Sequence, residues 1–259
     1  MQPILVTGGT GTLGRPLVEA LTGAGHSLRV LSRRPHAKAG GSAVEWVVGD
    51  LGTGEGIARA VQGVRAIVHC ATSPRTGKVD VGGTRRLLDA ARRVGSPHVV
   101  YISIVGVDRV PFRYYKAKLQ VERLIEGSGL PWTILRTTQF HDLILSVAQF
   151  LTRLPVLPVP RDMEFQPVDV GEVAERLAAL ALGEPAGRVS DMGGPQVLTV
   201  QELASAYLRA TGRRRPIVAV PVPGAAARGF REGGHLCPEH ADGKRTWAEF
   251  LAARFGEGR

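Results

Sequence analysis

Ile4-Leu5-Val6-Thr7-Gly8-Gly9-Thr10-Gly11-Thr12-Leu13-Gly14 joins a short apolar run to three glycines, Gly8, Gly11 and Gly14, at three-residue spacing. Ile4 to Val6 predict a buried first strand. The stretch from Thr12 to Ala24, apolar at Leu13, Leu17, Val18 and Leu21, predicts a helix. Glycines in the turn between them lack Cβ, so the backbone can take positive φ and approach a pyrophosphate closely. The unpaired N–H groups at the helix start favour that negative charge. Thr7, Gly8, Gly11, Thr12, Leu13 and Gly14 are therefore expected to hold a dinucleotide.

The alternation continues outward. Ser27 to Ser32, Val44 to Val48, Ala66 to Cys70, Val99 to Ile104 and Trp132 to Arg136 read as further strands. Helices are predicted at about 55–61, 79–93 and 114–126. Six strands alternating with helices imply an α/β fold of Rossmann type, a doubly wound parallel sheet with ligands at the carboxyl ends of its strands. Beyond Thr138 the rhythm breaks into helices around 140–154, 171–182 and 200–211 and a strand-like run from Ile217 to Val222. Residues 1–138 are thus expected to form the dinucleotide-binding core, and 139–259 a small C-terminal substrate lobe, part of the same domain.

The 259 residues are 44% hydrophobic and carry a formal charge of +10. The basic residues are scattered without an aromatic-interleaved stripe, so no direct nucleic-acid partner is expected. The dense run Arg213-Arg214-Arg215 follows Gly212 at a predicted helix end, where cations suit the dipole. The longest apolar stretch, Leu143 to Pro160, is broken by Gln149, Arg153 and three prolines, unlike a membrane span. Cys70 and Cys237 give no disulfide framework, and no secretory leader is read, so a cytoplasmic location is expected. His235-x-Cys237-x-x-His240 lacks the second ligand pair of a structural zinc site, and no metal is expected.

At the end of the second strand, Ser32-Arg33-Arg34-Pro35 stands where an NAD site places an acidic residue. Two guanidinium groups suit the 2′-phosphate of NADP(H), with no carboxylate to repel it. Asp50 and Leu51, after the third strand, are expected beside the adenine, with helix capping as the other reading of Asp50. Ala71 and Thr72, after the fourth, complete the cofactor set. Tyr114 and Lys118 lie one helical turn apart on one face. A nearby ammonium can lower a phenol's pKa toward the working range, and Lys118 can hold the nicotinamide ribose. Ser103 can polarise a substrate carbonyl, and Tyr115 rivals Tyr114 as the acid. Gln139, Phe140, His141 and Phe165 are expected to line the substrate site.

Thr7-Gly8-x-x-Gly11-x-x-Gly14, Gly49-Asp50-Leu51, Tyr114-x-x-x-Lys118 with Glu122, Leu135-Arg136 and Pro167 to Ala174 resemble an atypical or extended short-chain dehydrogenase/reductase, close to the NmrA-like group. The resemblance covers nearly the whole chain. It implies a Rossmann sheet, NADP(H) and hydride transfer to a small organic substrate. In the family a second Ser or Thr usually follows the strand-five serine, and Ile104 stands there instead. Some NmrA-like relatives lack the tyrosine, so the resemblance also implies an alternative, a dinucleotide sensor without turnover.

Overall fold

Four consecutive buried residues, Ile4–Thr7, form β1, which pairs in parallel with β2 (Leu28–Ser32) on one side and β4 (Ala66–His69) on the other. A strand covered on both faces reads as a continuous apolar run, as this one does. The computed structural model describes residues 2–35, 43–73 and 78–256. β3 (Val44–Val48) lies outside β2; β5 (His98–Ile104), β6 (Trp132–Thr137) and β9 (Gly187–Arg188) follow β4, completing a seven-stranded parallel sheet in the order β3-β2-β1-β4-β5-β6-β9. The direction of winding reverses between β1 and β4, the point at which a doubly wound sheet opens a crevice for ligands. Between the strands run α1 (Gly14–Gly23), α2 (Ile57–Val61), α3 (Lys78–Arg93) and α4 (Arg113–Glu126). Helix α1 begins two residues later than its apolar spacing suggests, because the Gly11 amide donates to Gly8 O and keeps the chain in a turn.

The remaining elements are α5 (His141–Leu151), β7 (Leu157–Pro160), β8 (Glu164–Phe165), α6 (Val170–Leu182), β10 (Leu198–Thr199), α7 (Val200–Thr211), β11 (Ile217–Val220), α8 (Ala225–Arg231) and α9 (Trp247–Phe255). The chain divides into two compact units. The first comprises 1–103, 113–136 and 173–190; the second comprises 104–112, 137–172 and 191–259. Leu5, Ile67, Leu87, Tyr101, Val121 and Ile134 belong to the core of the first. In the second, Leu145, Leu157, Leu203, Tyr207, Trp247 and Phe250 pack together, and the Trp247 indole donates to Leu203 O at 3.1 Å. Among the described residues no helix is long and apolar enough to cross a membrane.

Strand β7 contains Pro158 and Pro160 and pairs in parallel with β11. Proline cannot donate to a ladder. The bonding N–H groups come instead from Leu157, to Pro216 O at 2.8 Å, and Arg161, to Val220 O at 2.9 Å. The prolines occupy the alternate positions, whose N–H would point away from β11.

Within the first unit, Glu122 of α4 is fully buried and receives two hydrogen bonds from Arg136 of β6, at 2.9 and 2.7 Å. Removing one partner of such a pair leaves a buried charge without compensation, at a cost of about 3–5 kcal/mol. Glu122→Ala is expected to lower unfolding free energy by that amount in denaturant titration, whereas the exposed pair Arg29–Glu45 loses under about 1 kcal/mol on Glu45→Ala.

Candidate active site

The glycine turn brings β1 against the loop after β4. Gly8 has φ +74°, and a Cβ there would lie 2.7 Å from Ala71 N. A Cβ on Gly14 would lie 2.1 Å from Gly8 O, so only glycine lets α1 start this close to the turn. A Cβ on Gly11 meets only Gly8 O, at 3.2 Å, which leaves its other side open. Helix α1 has no side-chain cap and no acidic residue in its first turn, so its positive end is left for an external anion. Ser32 Oγ accepts from the Arg34 amide at 3.2 Å, and the turn this bond closes presents Arg33 and Arg34 to solvent. These residues fit a dinucleotide phosphate and a basic rim beside it. Asp50 Oδ1 accepts from Gly52 N at 2.7 Å, which makes it the organiser of a turn; the residue at the start of α2 is Gly56. Leu51 packs on the core of the same unit.

Helix α4 carries one polar group every four residues along one face, and each is held by the next strand of the sheet. Thr72, in the loop after β4, meets the Tyr114 hydroxyl at 2.8 Å. Lys118 Nζ donates to Ile102 O of β5 at 2.8 Å. Glu122 takes Arg136 of β6, and Glu126 takes Arg188 of β9 at 2.6 Å. The sequence of strands touched, β4, β5, β6 and β9, is their spatial order in the sheet. Because Thr72 follows Ala71, the tyrosine hydroxyl is connected to the glycine turn through two consecutive residues.

The Thr72 hydroxyl donates its only proton to Asp80 Oδ2, at 2.8 Å, so its oxygen accepts from Tyr114. Asp80 Oδ1 also accepts from Ser73 N at 2.7 Å. Burial raises the Tyr114 phenol above its ordinary value, and the Asp80 charge adds to the rise. The expected lowering by Lys118 is not what the structure shows. Its ammonium sits 4.5 Å from the centre of the Tyr101 ring and is bound to a backbone carbonyl. Burial lowers the Lys118 pKa to about 8, against the pull of Asp80, Cys70 and Glu122. Tyr115, the rival acid, is buried in the packing side of α4. Ser103, one residue beyond Ile102, is buried with its hydroxyl lacking a hydrogen-bond partner among the described residues.

Residues that the spacing did not single out support this face. His69 Nδ1 lies 2.7 Å from the Thr7 hydroxyl and Nε2 2.9 Å from that of Thr84. Thr84 gives its proton to Asp80 O, so it accepts from His69 Nε2, and Nδ1 accepts from Thr7. Burial keeps the ring neutral, and it stacks on Tyr101 with 5.5 Å between centroids.

In the second unit, Gln139 and His141 are buried, and Phe140 bridges to Val168 just before α5. His141 was expected to line a cleft. It is instead fully buried and stacked on Phe250 at 5.0 Å, with its Nε2 3.0 Å from Arg245 O, because the start of α5 is packed by the aromatic residues of α9. Phe165 joins a cluster with Phe230 at 6.1 Å and His235 at 5.0 Å. His235 Nε2 is bonded to Glu164 O, and burial pushes the Cys237 thiol up to about 12. Among the described residues no three His, Cys, Asp or Glu side chains converge as a metal-ligand set.

A sequence profile described as NAD(P)H-binding matches residues 8–152. The chain belongs to that family. This NAD(P)H-binding protein is 31% identical over 215 residues, 81% of its length and 74% of the relative's, to a (4-alkanoyl-5-oxo-2,5-dihydrofuran-3-yl)methyl phosphate reductase of Streptomyces griseus. It is 28% identical over 241 residues, 87% of its length and 76% of the relative's, to a ceramide reductase of Caulobacter vibrioides. The photosystem II assembly factor Ycf39 of Cyanophora paradoxa is 27% identical over 234 residues, 85% and 72% of the two lengths. An NADPH-dependent quinone oxidoreductase of Escherichia coli, solved with NADPH, superposes with a TM-score of 0.82 over 97% of this chain and 99% of that one. At 19% identity that likeness concerns the fold. Reductases thus stand among the relatives of this NAD(P)H-binding chain.

Burial and the Lys118 charge lower His69 to about 3, and burial lowers His235 to about 4, both from an ordinary 6.5. Below pH 6.5 the unfolded chain binds protons that the folded chain refuses. Stability present above that pH is therefore lost as pH falls toward about 4 and about 3. Thermal melts are expected to show a lower midpoint at pH 5 than at pH 7, each histidine costing up to about 2 kcal/mol at the lower pH. His69→Asn is expected to flatten that dependence.

Proposed function

We propose that the protein is an NADPH-dependent oxidoreductase that reduces a small carbonyl, quinone or other electron-poor organic compound by hydride transfer. The observation that carries this reading is the face of α4, where Tyr114 and Lys118 stand beside a glycine turn suited to a dinucleotide. The bound reduced nicotinamide supplies the hydride. Thr7, Gly8, Gly11, Thr12, Leu13 and Gly14 hold the pyrophosphate, Arg33 and Arg34 pair with the 2′-phosphate, and Asp50, Leu51, Ala71 and Thr72 frame the nucleoside parts. Lys118 holds the ribose and contributes positive charge. Because burial has already separated the ammonium from water, turning it from Ile102 O to a ligand hydroxyl costs less desolvation than a fully hydrated lysine would pay. Tyr114, kept protonated at neutral pH, donates its proton to the substrate oxygen, and Ser103 supplies a second hydrogen bond there.

A second reading, a dinucleotide-sensing regulator without turnover, draws on Ile104 in place of a second hydroxyl residue and on the relatives named as assembly factors. Purified protein with NADPH and a panel of quinones and activated carbonyls separates the two. Under the first reading Tyr114→Phe lowers kcat by about 10²-fold on an active substrate with little change in NADPH affinity. Activity falls as pH rises through about 8, where Lys118 loses its proton, and Lys118→Arg moves that fall upward. NADPH binding without turnover of any compound, together with a partner captured only in one redox state of the dinucleotide, establishes the second reading.

Cofactor choice has its own measurement. Arg33→Ala/Arg34→Ala is expected to weaken NADPH binding by about 10- to 100-fold and leave NADH binding within about threefold, as titration of intrinsic fluorescence reads it.

A further inference from the structure

Helix α5 leaves an apolar face uncovered. Leu143, Val147, Phe150 and Leu154 recur at helical spacing through α5 and just beyond it, with exposures of 53%, 49%, 64% and 44%. Side chains this large, aligned and exposed are unlike the scattered single apolar residues of an ordinary surface. Beside this stripe, on the neighbouring face of the helix, Gln149 and Arg153 open onto a shallow hollow of about 520 Å³ that Tyr207, Thr211, Arg213 and Phe255 also line. The C-terminal ends of three helices, α5, α7 and α9, meet around it. The last turns of these helices and the residues just after them carry Arg153, Arg209, Arg213, Arg214, Arg215 and Arg254, while the acidic residues of the same helices, Asp142, Glu202 and Glu249, lie in their first turns, and Glu257 follows α9 in the chain. All six guanidinium-bearing residues are exposed. Two are oriented by the end of α5: Arg213 Nη1 donates to Thr152 Oγ1 at 3.3 Å, and Arg215 Nε donates to Leu154 O at 3.2 Å.

We infer that this face docks on the surface of an anionic phospholipid bilayer, with the α5 stripe entering the boundary between headgroups and acyl chains and the arginines meeting lipid phosphates. An apolar helix face flanked by cations is the pattern of an interfacial helix, which lies on a membrane without crossing it. Charge argues against a second copy of the chain as the occupant: two such faces would bring twelve arginines together, with the acidic residues of these helices at their opposite ends. A nucleic acid would meet the arginines but would leave Leu143, Val147, Phe150 and Leu154 facing a phosphate backbone with nothing to offer it.

Cosedimentation of the purified full-length protein with unilamellar vesicles tests the assignment. Vesicles of phosphatidylcholine with about 30% phosphatidylglycerol are compared with phosphatidylcholine alone, at low and high salt. The protein is expected to pellet with the anionic vesicles at least about tenfold more than with the neutral ones, and salt is expected to weaken this. Phe150→Asp/Leu154→Asp and Arg153→Ala/Arg214→Ala, all at exposed positions, are each expected to lower the bound fraction by about tenfold while leaving the melting curve unchanged. Wild-type protein that stays in the supernatant overturns the inference, as does binding indifferent to phosphatidylglycerol. Binding that survives Phe150→Asp/Leu154→Asp overturns it by reducing the attraction to charge alone. A solution dimer that the same double substitution splits into monomers assigns the face to a second copy and overturns it too. So does duplex DNA that displaces the protein from the vesicles.

Discussion

The polar stripe of α4 fixes the candidate site. A helix crossing a parallel sheet can slide or rotate while keeping its apolar contacts, because dispersion and burial are not directional. Tyr114, Lys118, Glu122 and Glu126 remove that freedom, since each is bonded to a different strand or strand end and the four successive partners lie in the order of the sheet. The buried Glu122–Arg136 pair is the stiffest of these joints, being bidentate and shielded from water. The two groups assigned to chemistry sit on the same face, one and two turns before it. Their placement therefore depends on a buried charge pair that is not itself among the groups assigned to chemistry.

Much of this was legible in the sequence. The apolar run ending in Gly8, Gly11 and Gly14 specified strand, turn and helix because Gly8 and Gly14 answer steric demands that only a missing Cβ meets. The four-residue spacing of Tyr114, Lys118 and Glu122 placed them on one face. What they would bond to was not legible, since Thr72, Ile102 and Arg136 are distant in the chain. Asp80, His69 and Thr84 were missed for the same reason. Strand β9 has two residues, too few to show alternation. Helix α9 carried a readable signal, Thr246-x-x-Glu249 before an apolar run, and the structure contains that capping box.

His141 illustrates the opposite error. A histidine beside Gln139 and Phe140 suggested a polar tip among aromatics, but α9 supplies Trp247 and Phe250 from a hundred residues away. Packing decided its role, and no local pattern could have announced those partners. Lys118 is intermediate: its position was foreseen, while its hold on Ile102 O and its place over Tyr101 show a cation already separated from water.

The prolines of β7 have a consequence for the life of the polypeptide outside its folded state. A two-stranded sheet exposes a free border on each side, and such borders invite strands from neighbouring molecules. On the outer border of β7, positions 158 and 160 have no amide proton to offer. An incoming strand would find acceptors without matching donors. The little sheet is therefore capped against growth on that side by the same residues that interrupt the apolar stretch from Leu143 to Pro160.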